Sequence, residues 1–147
     1  MPSRQQWSGR DIVITGDGLP FRGLSEADDA VTVEYIEPLY HDSVVDRNGD
    51  NGVHVENPKR KLRIQLKFMV GATADLARMH AQIELRKPFV TFNGRNLGSS
   101  TSAFTASNVA IKTVGQWSGS NKPMEVTFEL EATKGQIIHG GQRVYGV

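Results

Sequence analysis

Cysteine is absent from this chain, which excludes a disulfide framework, thiol chemistry and any zinc site built on thiolates. Long apolar runs are missing too. No segment approaches the roughly 20 consecutive apolar residues that span a bilayer as a helix, so no membrane partner is expected. The opening MPSRQQWSG has no apolar run after its charged residue, so no secretory leader is expected and the product should stay in the cytoplasm where it is made. An excess of one charge is also lacking. Seventeen basic and sixteen acidic residues are interleaved, for a net charge of +1. A chain whose main task is to grip phosphates carries a clustered basic excess instead. Dedicated nucleic-acid binding is therefore disfavoured, although a surface past which nucleic acid slides is not.

What is present fits one domain spanning residues 1–147. A globule of this length hides roughly 70% of its unfolded surface, and an apolar fraction of 38% is enough to fill a core without staples. No internal repeat or low-complexity tract divides the chain.

The dominant pattern is alternation with period two, the signature of half-buried strands. Ile12 and Ile14 alternate over residues 10–15, and Gly16-Asp17-Gly18 then reads as a turn. Val31, Val33 and Tyr35 alternate with Thr32 and Glu34, and Pro38 ends that strand or places it at an edge. Residues 61–68 alternate most clearly: Leu62, Ile64, Leu66 and Phe68 take one face, Lys61, Arg63, Gln65 and Lys67 the other. Residues 124–132 match them, with Met124, Val126, Phe128 and Leu130 against Glu125, Thr127, Glu129 and Glu131. Residues 89–92 and 109–113 read as further strands, the first leading into an Asn93-Gly94 turn. Residues 95–107 read as irregular, and residues 115–123 as a loop or hairpin connection.

One helix is predicted over residues 73–86, capped by Thr73, with Asp75 in its first turn, Arg86 and Lys87 at its end, Leu76, Met79 and Ile83 as its apolar stripe, and Pro88 as its stop. Residues 39–58 form a long polar loop with one short alternating piece at 53–56, an uncommon length for a compact domain and often a functional one. The expected fold is mainly β with one α-helix: a β-sandwich or barrel of six or seven strands, a flanking helix and this loop.

The two strongest strands are expected to pair antiparallel in one sheet. Placing Lys61 opposite Glu131 also sets Arg63 opposite Glu129 and Lys67 opposite Glu125, while Leu62, Ile64, Leu66 and Phe68 meet Leu130, Phe128, Val126 and Met124. Every basic residue then faces an acid, giving a nearly neutral ladder. A one-residue slip would mix the faces; a two-residue slip keeps them and is the main competitor.

Candidate chemistry is sparse. Asp46, Asn48 and Asp50 occupy the first, third and fifth places of a calcium loop, but Asn51 and Asn57 stand where glycine and the closing carboxylate belong, so a polar turn is the ordinary reading. His41, His54, His80 and His139 lack zinc spacing, and His80 reads as a partly buried packing residue. His41-Asp42-Ser43 holds the residue types of a hydrolase triad without its geometry, since the three roles need convergent side chains. The glycines of Gly16-Asp17-Gly18 and Gly140-Gly141 are too few to cradle a phosphate. Glu125, Glu129 and Glu131 read as a solvated strand face. No cofactor, metal or catalytic constellation is expected.

The layout resembles the tail-tube proteins of long-tailed phages. The most telling stretches are NPKRKLRIQLKFMVGATADLARMHA (57–81) and SNVAIKTVGQWSGSNKPMEVTFELEATK (107–134), with the late Ala110–Lys112 strand and the MEVTFEL strand after it. The resemblance implies a subunit that assembles with itself into stacked hexameric rings, in a tail put together in the host cytoplasm. Sheath, baseplate and tail-terminator proteins would be further partners. DNA would pass through the lumen without specific binding. It also implies that the long loop grips the next ring, through Tyr40, His41, Asp42, Asp46, Arg47, Asn48, Asp50, His54 and Glu56. Lys61, Arg63, Gln65, Lys67, Glu125, Thr127, Glu129 and Glu131 would form a lumen face. The tube proteins of type VI secretion and other contractile injection systems look similar and form the near alternative. An oligonucleotide-binding β-barrel is a more distant one, weakened by scattered aromatics at Tyr40, Phe104 and Trp117. A β-sandwich enzyme is disfavoured by the missing constellation.

Overall fold

The computed structural model describes residues 4–37, 40–49, 51–56, 60–97, 102–118, 125–139 and 142–146, with the backbone alone at Arg4, His41, Asp42, Glu56, residues 113–118, His139 and residues 142–146. Within these residues the chain is mainly β, with one helix. Eleven strands follow in order: β1 (Arg4–Trp7), β2 (Ile12–Gly16), β3 (Leu19–Phe21), β4 (Val31–Tyr35), β5 (Tyr40–Val45), β6 (Gly52–Glu56), β7 (Leu62–Met69), β8 (Phe89–Asn96), β9 (Ser102–Ser118), β10 (Glu125–His139) and β11 (Gln142–Gly146). The helix α1 (Thr73–Glu84) lies between β7 and β8. No described helix is long and apolar enough to cross a membrane.

Nine strands make one antiparallel sheet in the order β1-β4-β7-β10-β9-β8-β2-β3, with β11 added to the far end of β10. The sheet curls into a half-barrel around its apolar face. The curl brings distant parts of the path together: Leu24, just after β3, bridges Phe68 of β7, and Met69 donates its N–H to the Gly23 carbonyl at 2.8 Å. All six phenylalanines (Phe21, Phe68, Phe89, Phe92, Phe104 and Phe128) are buried inside. Phe21 touches Phe68, Phe89 and Phe92 with ring centroids 5.7 to 6.1 Å apart, joining three strands across the interior. Each such ring contributes roughly 1.5–3 kcal/mol by burial, so the sequence's few aromatics are concentrated where they stabilise most.

Eleven strands exceed the six or seven expected, and the differences have identifiable causes. Asn93-Gly94 is not a turn but the middle of β8. A methyl added at Gly94 would lie 2.4 Å from the Phe104 ring, so the glycine is there to let that ring approach the strand. Of the stretch expected to be irregular, residues 95–96 end β8 and residues 102–107 begin β9, while residues 98–101 lie outside the described residues. At the other end β10 runs on through Ile137 and Ile138 to His139. The expected connection at 115–123 is strand up to Ser118, and the rest of it, with Met124, lies outside the described residues. Gly16-Asp17-Gly18 turns as expected, with Asp17 and Gly18 both at positive φ (50° and 84°) in the two-residue hairpin geometry.

The helix is shorter than predicted and is held differently. It ends at Glu84, and Arg86 has the left-handed φ of 52° that stops it before Pro88 is reached. Thr73 is not its cap; Ala72 occupies that position without a side-chain bond. Asp75 reaches the segment just after β3, where its buried carboxylate accepts the N–H groups of Arg22 (2.9 Å) and Gly23 (2.5 Å). One turn on, Arg78 donates to the carbonyls of Gly16, Leu19 and Pro20 and lies over the Phe21 ring at 4.0 Å. Met79 is buried in the core, with Leu76 and Ile83 packed at its margin. His80 is exposed, one edge of its ring reaching Phe128. Two charged side chains thus clamp the helix to the β2–β3 hairpin while its stripe closes the open side of the half-barrel.

Candidate assembly surfaces

The segment expected to be a loop is a β-hairpin. β5 and β6 pair only with each other, forming a two-stranded sheet apart from the main one. The register sets Val44 opposite Val53, Ser43 opposite His54 and Asp42 opposite Val55, with an irregularity between Tyr40 and Asp42. Asp46 builds the turn. Its carboxylate accepts the Asn48 N–H (3.1 Å) and the Asn51 side-chain amide (2.6 Å), and its own N–H reaches the Asn51 carbonyl at 2.8 Å. Both Asp46 oxygens are thus engaged in closing the turn, as the polar-turn reading expects. Ser43 Oγ bonds His54 Nδ1 at 2.8 Å, and the Tyr40 ring packs on His54 with centroids 5.2 Å apart.

The exposure of this hairpin is its main property. Val44, Val53 and Val55 share one face by register, at 55%, 66% and 36% exposure, and Val45 is 57% exposed on the other. A two-stranded hairpin is at best marginally stable alone in water, and a row of exposed valines on one of its faces makes it a candidate interaction surface. Of the residues assigned to the assembly loop, Tyr40, Asp46, Arg47, Asn48 and His54 lie on this arm with described side chains. His41, Asp42 and Glu56 lie on it by backbone, and Asp50 is outside the described residues. The four valines were not singled out beforehand. Their signal was there, as Val44-Val45 and Val53-His54-Val55 flank a turn-rich DRNGDNG, but the consecutive valines obscured the alternation.

The second surface is the polar face of the main sheet. β7 and β10 are antiparallel neighbours, as expected, with the register two residues from the expected one: Arg63 stands opposite Glu131, Gln65 opposite Glu129 and Lys67 opposite Thr127. The faces are kept. Ile64 meets Leu130, Leu66 meets Phe128 and Phe68 meets Val126, all buried, while the Lys61, Arg63, Gln65 and Lys67 row and the Glu125, Thr127, Glu129 and Glu131 row share the opposite side. Lys61 bridges Glu131 at 3.5 Å and Arg63 bridges Glu129 at 3.3 Å. Lys67, displaced from Glu125 by the shift, pairs with Asp29 at 2.8 Å. Glu34 of β4 pairs with Arg63 at 3.2 Å, and Glu37 approaches Lys61. Acids from outside the two strands therefore join the ladder, and the expected neutrality is lost. On this face six carboxylates (Asp29, Glu34, Glu37, Glu125, Glu129, Glu131) stand against four cations, Lys61, Arg63, Lys67 and, placed by register opposite Glu34, Arg4. Asp29, Glu34 and Glu37 were missed because they sit on other elements, which alternation within one strand does not connect.

No protein-family model matches this sequence, and comparison with curated proteins finds no match. The two surfaces therefore carry the functional reading on their own geometry.

Proposed function

We propose that this chain is a structural subunit that assembles with itself into stacked rings, forming the inner tube of a phage tail through which DNA passes. The observation that carries the reading is the projecting β5–β6 arm, a preformed hairpin whose valines are exposed on the single chain and need a protein surface to cover them. A monomer gains nothing from such an element, whereas a subunit that must grip a neighbour does. The polar face supports the reading a second way. Its carboxylate excess repels a phosphate backbone, which suits a wall past which DNA slides without being held. In this reading the half-barrel is one subunit's share of the β-sandwich or barrel wall that the tail-tube resemblance implies. Sheath, baseplate and terminator proteins would meet the finished tube in the virion.

An oligonucleotide-binding barrel has less support, because Tyr40 is the one aromatic among the exposed large apolar side chains that are described (those of Trp117 and Tyr145 lie outside them), and stacking needs several. Negative-stain microscopy of the purified chain at increasing concentration tests the proposal. Rings or tubes with a through-going lumen are expected; particles that stay monomeric throughout contradict it.

A further inference from the structure

The surface that receives the arm is also legible, given the self-assembly reading on which this inference rests. A cleft of about 750 Å³ lies over the outer side of β2 and β8, beside the edge strand β3. Its lining includes Val13, Thr15, Arg22, Asn93, Arg95 and Leu97, and it contains no carboxylate. Arg22 and Arg95 are both exposed and take part in none of the ion pairs among the described residues. Leu97 is 50% exposed at the rim. The cleft thus offers two cations without an ion pair among the described residues, beside the apolar side chains of Val13 and Leu97 in an otherwise largely polar lining.

The arm is its chemical complement. Residues 40–56 carry four carboxylates (Asp42, Asp46, Asp50 and Glu56) against one arginine (Arg47), a net −3. The rest of the chain, which is +1 as a whole, is therefore +4. The arm also presents Val44, Val53 and Val55 on one face. Its own body does not cover that face, since all three valines are exposed. Strand addition to the neighbouring edge is limited by Pro20, which interrupts a three-residue β3, so side-chain docking is the mode available. We propose that the β5–β6 arm of one copy seats in the Arg22–Arg95 cleft of a second copy, valines against Val13 and Leu97 and carboxylates toward the two arginines. A single-stranded nucleic acid fits the cleft less well, because the aromatic in it, Phe21, is buried and offers no stacking face.

The absence of native cysteine makes the test clean. V53C and L97C are made in separate copies, one of them tagged so that unlike pairs are identified by mass, mixed at a concentration where the parent assembles, and oxidised mildly. A disulfide forms only if the two positions come within about 7 Å between Cα atoms. The V53C–L97C cross-link should exceed a V53C–E84C control at least tenfold. R22E/R95E, both at exposed positions, should keep the parent's circular dichroism and Tm and lose assembly. Equal cross-linking to both partners, or assembly of R22E/R95E like the parent, overturns the cleft while leaving self-assembly standing. A labelled single-stranded oligonucleotide that binds the parent tightly, and is lost in an R22E/R95E protein that still assembles, overturns it in favour of nucleic acid. If the parent itself never assembles, the self-assembly reading fails and this inference fails with it.

Discussion

Arg63 and Glu129 form an ion pair, Nε to Oε1 at 3.3 Å, although neither is the other's direct partner across the ladder: Arg63 stands opposite Glu131 and Glu129 opposite Gln65. Lys61 and Glu131 do the same at 3.5 Å. Long side chains reach the diagonal neighbour two residues on, so the charge pairs that the alternation pointed to are made while the backbone sits two residues away.

These pairs are half-exposed, and solvent screens them. Arg63 and Glu129 are 42% and 40% accessible, which places the pair in the range of about 0–1 kcal/mol. Glu129→Gln should therefore cost less than about 1 kcal/mol in urea unfolding, and the difference should shrink in 1 M salt as screening grows. A salt-independent loss above about 2 kcal/mol would mean that the pair holds the sheet together.

The helix clamp should matter far more. The Asp75 carboxylate is buried and accepts two backbone N–H groups, and bonds to a charged acceptor are worth roughly 1.5–3 kcal/mol. Asp75→Ala should destabilise by about 2–4 kcal/mol, and Asp75→Asn, which keeps one acceptor oxygen, by less. Equal losses in the two variants, or none, would show that the carboxylate's bonds do not hold the helix.

Gly94 and Phe104 should be coupled. A methyl at Gly94 would sit 2.4 Å from the Phe104 ring, and overpacking of this kind costs typically about 1–3 kcal/mol. Phe104→Leu alone opens space and also destabilises. The double variant Gly94→Ala/Phe104→Leu should be more stable than the sum of the single losses, by about 0.5 kcal/mol or more. Additive losses would mean that the ring is not what the glycine accommodates.

How much was legible beforehand follows from what period two can report. It places Leu62, Ile64, Leu66 and Phe68 on the core side and Lys61, Arg63, Gln65 and Lys67 opposite, because that depends on one strand at a time. It pairs β7 with β10 because both faces match over eight residues. It does not separate registers two residues apart, since both keep Ile64 and Leu66 buried. Nor does it reach contacts between distant elements. Asp75 sits where a helix dipole would favour an acid, so its role 53 residues away at Arg22 was hidden, and Gly94 beside Asn93 resembles a turn until the Phe104 ring is in view. The arm was located by its length and polarity, but its hairpin structure and its exposed valines were not read from them.

The free subunit should be a poor DNA binder. Six carboxylates against four cations on the sheet face, and a net charge of +1, leave only non-specific affinity, with a Kd of about 10⁻⁴–10⁻⁶ M that weakens with salt. Fluorescence anisotropy with duplex DNA from 50 to 200 mM salt checks this. Sub-micromolar binding that survives 200 mM salt would argue for a nucleic-acid-binding barrel.

The most direct test of the account replaces residues 40–56 with a short Gly/Ser linker and compares sedimentation with the parent. Loop closure changes little with length, and the arm shares no sheet with the body, so the variant should fold with the parent's circular dichroism and a Tm within a few degrees. It should sediment as a monomer at concentrations where the parent forms rings or tubes. A variant that polymerises like the parent, or that no longer folds, would contradict the claim that the β5–β6 arm is an assembly element.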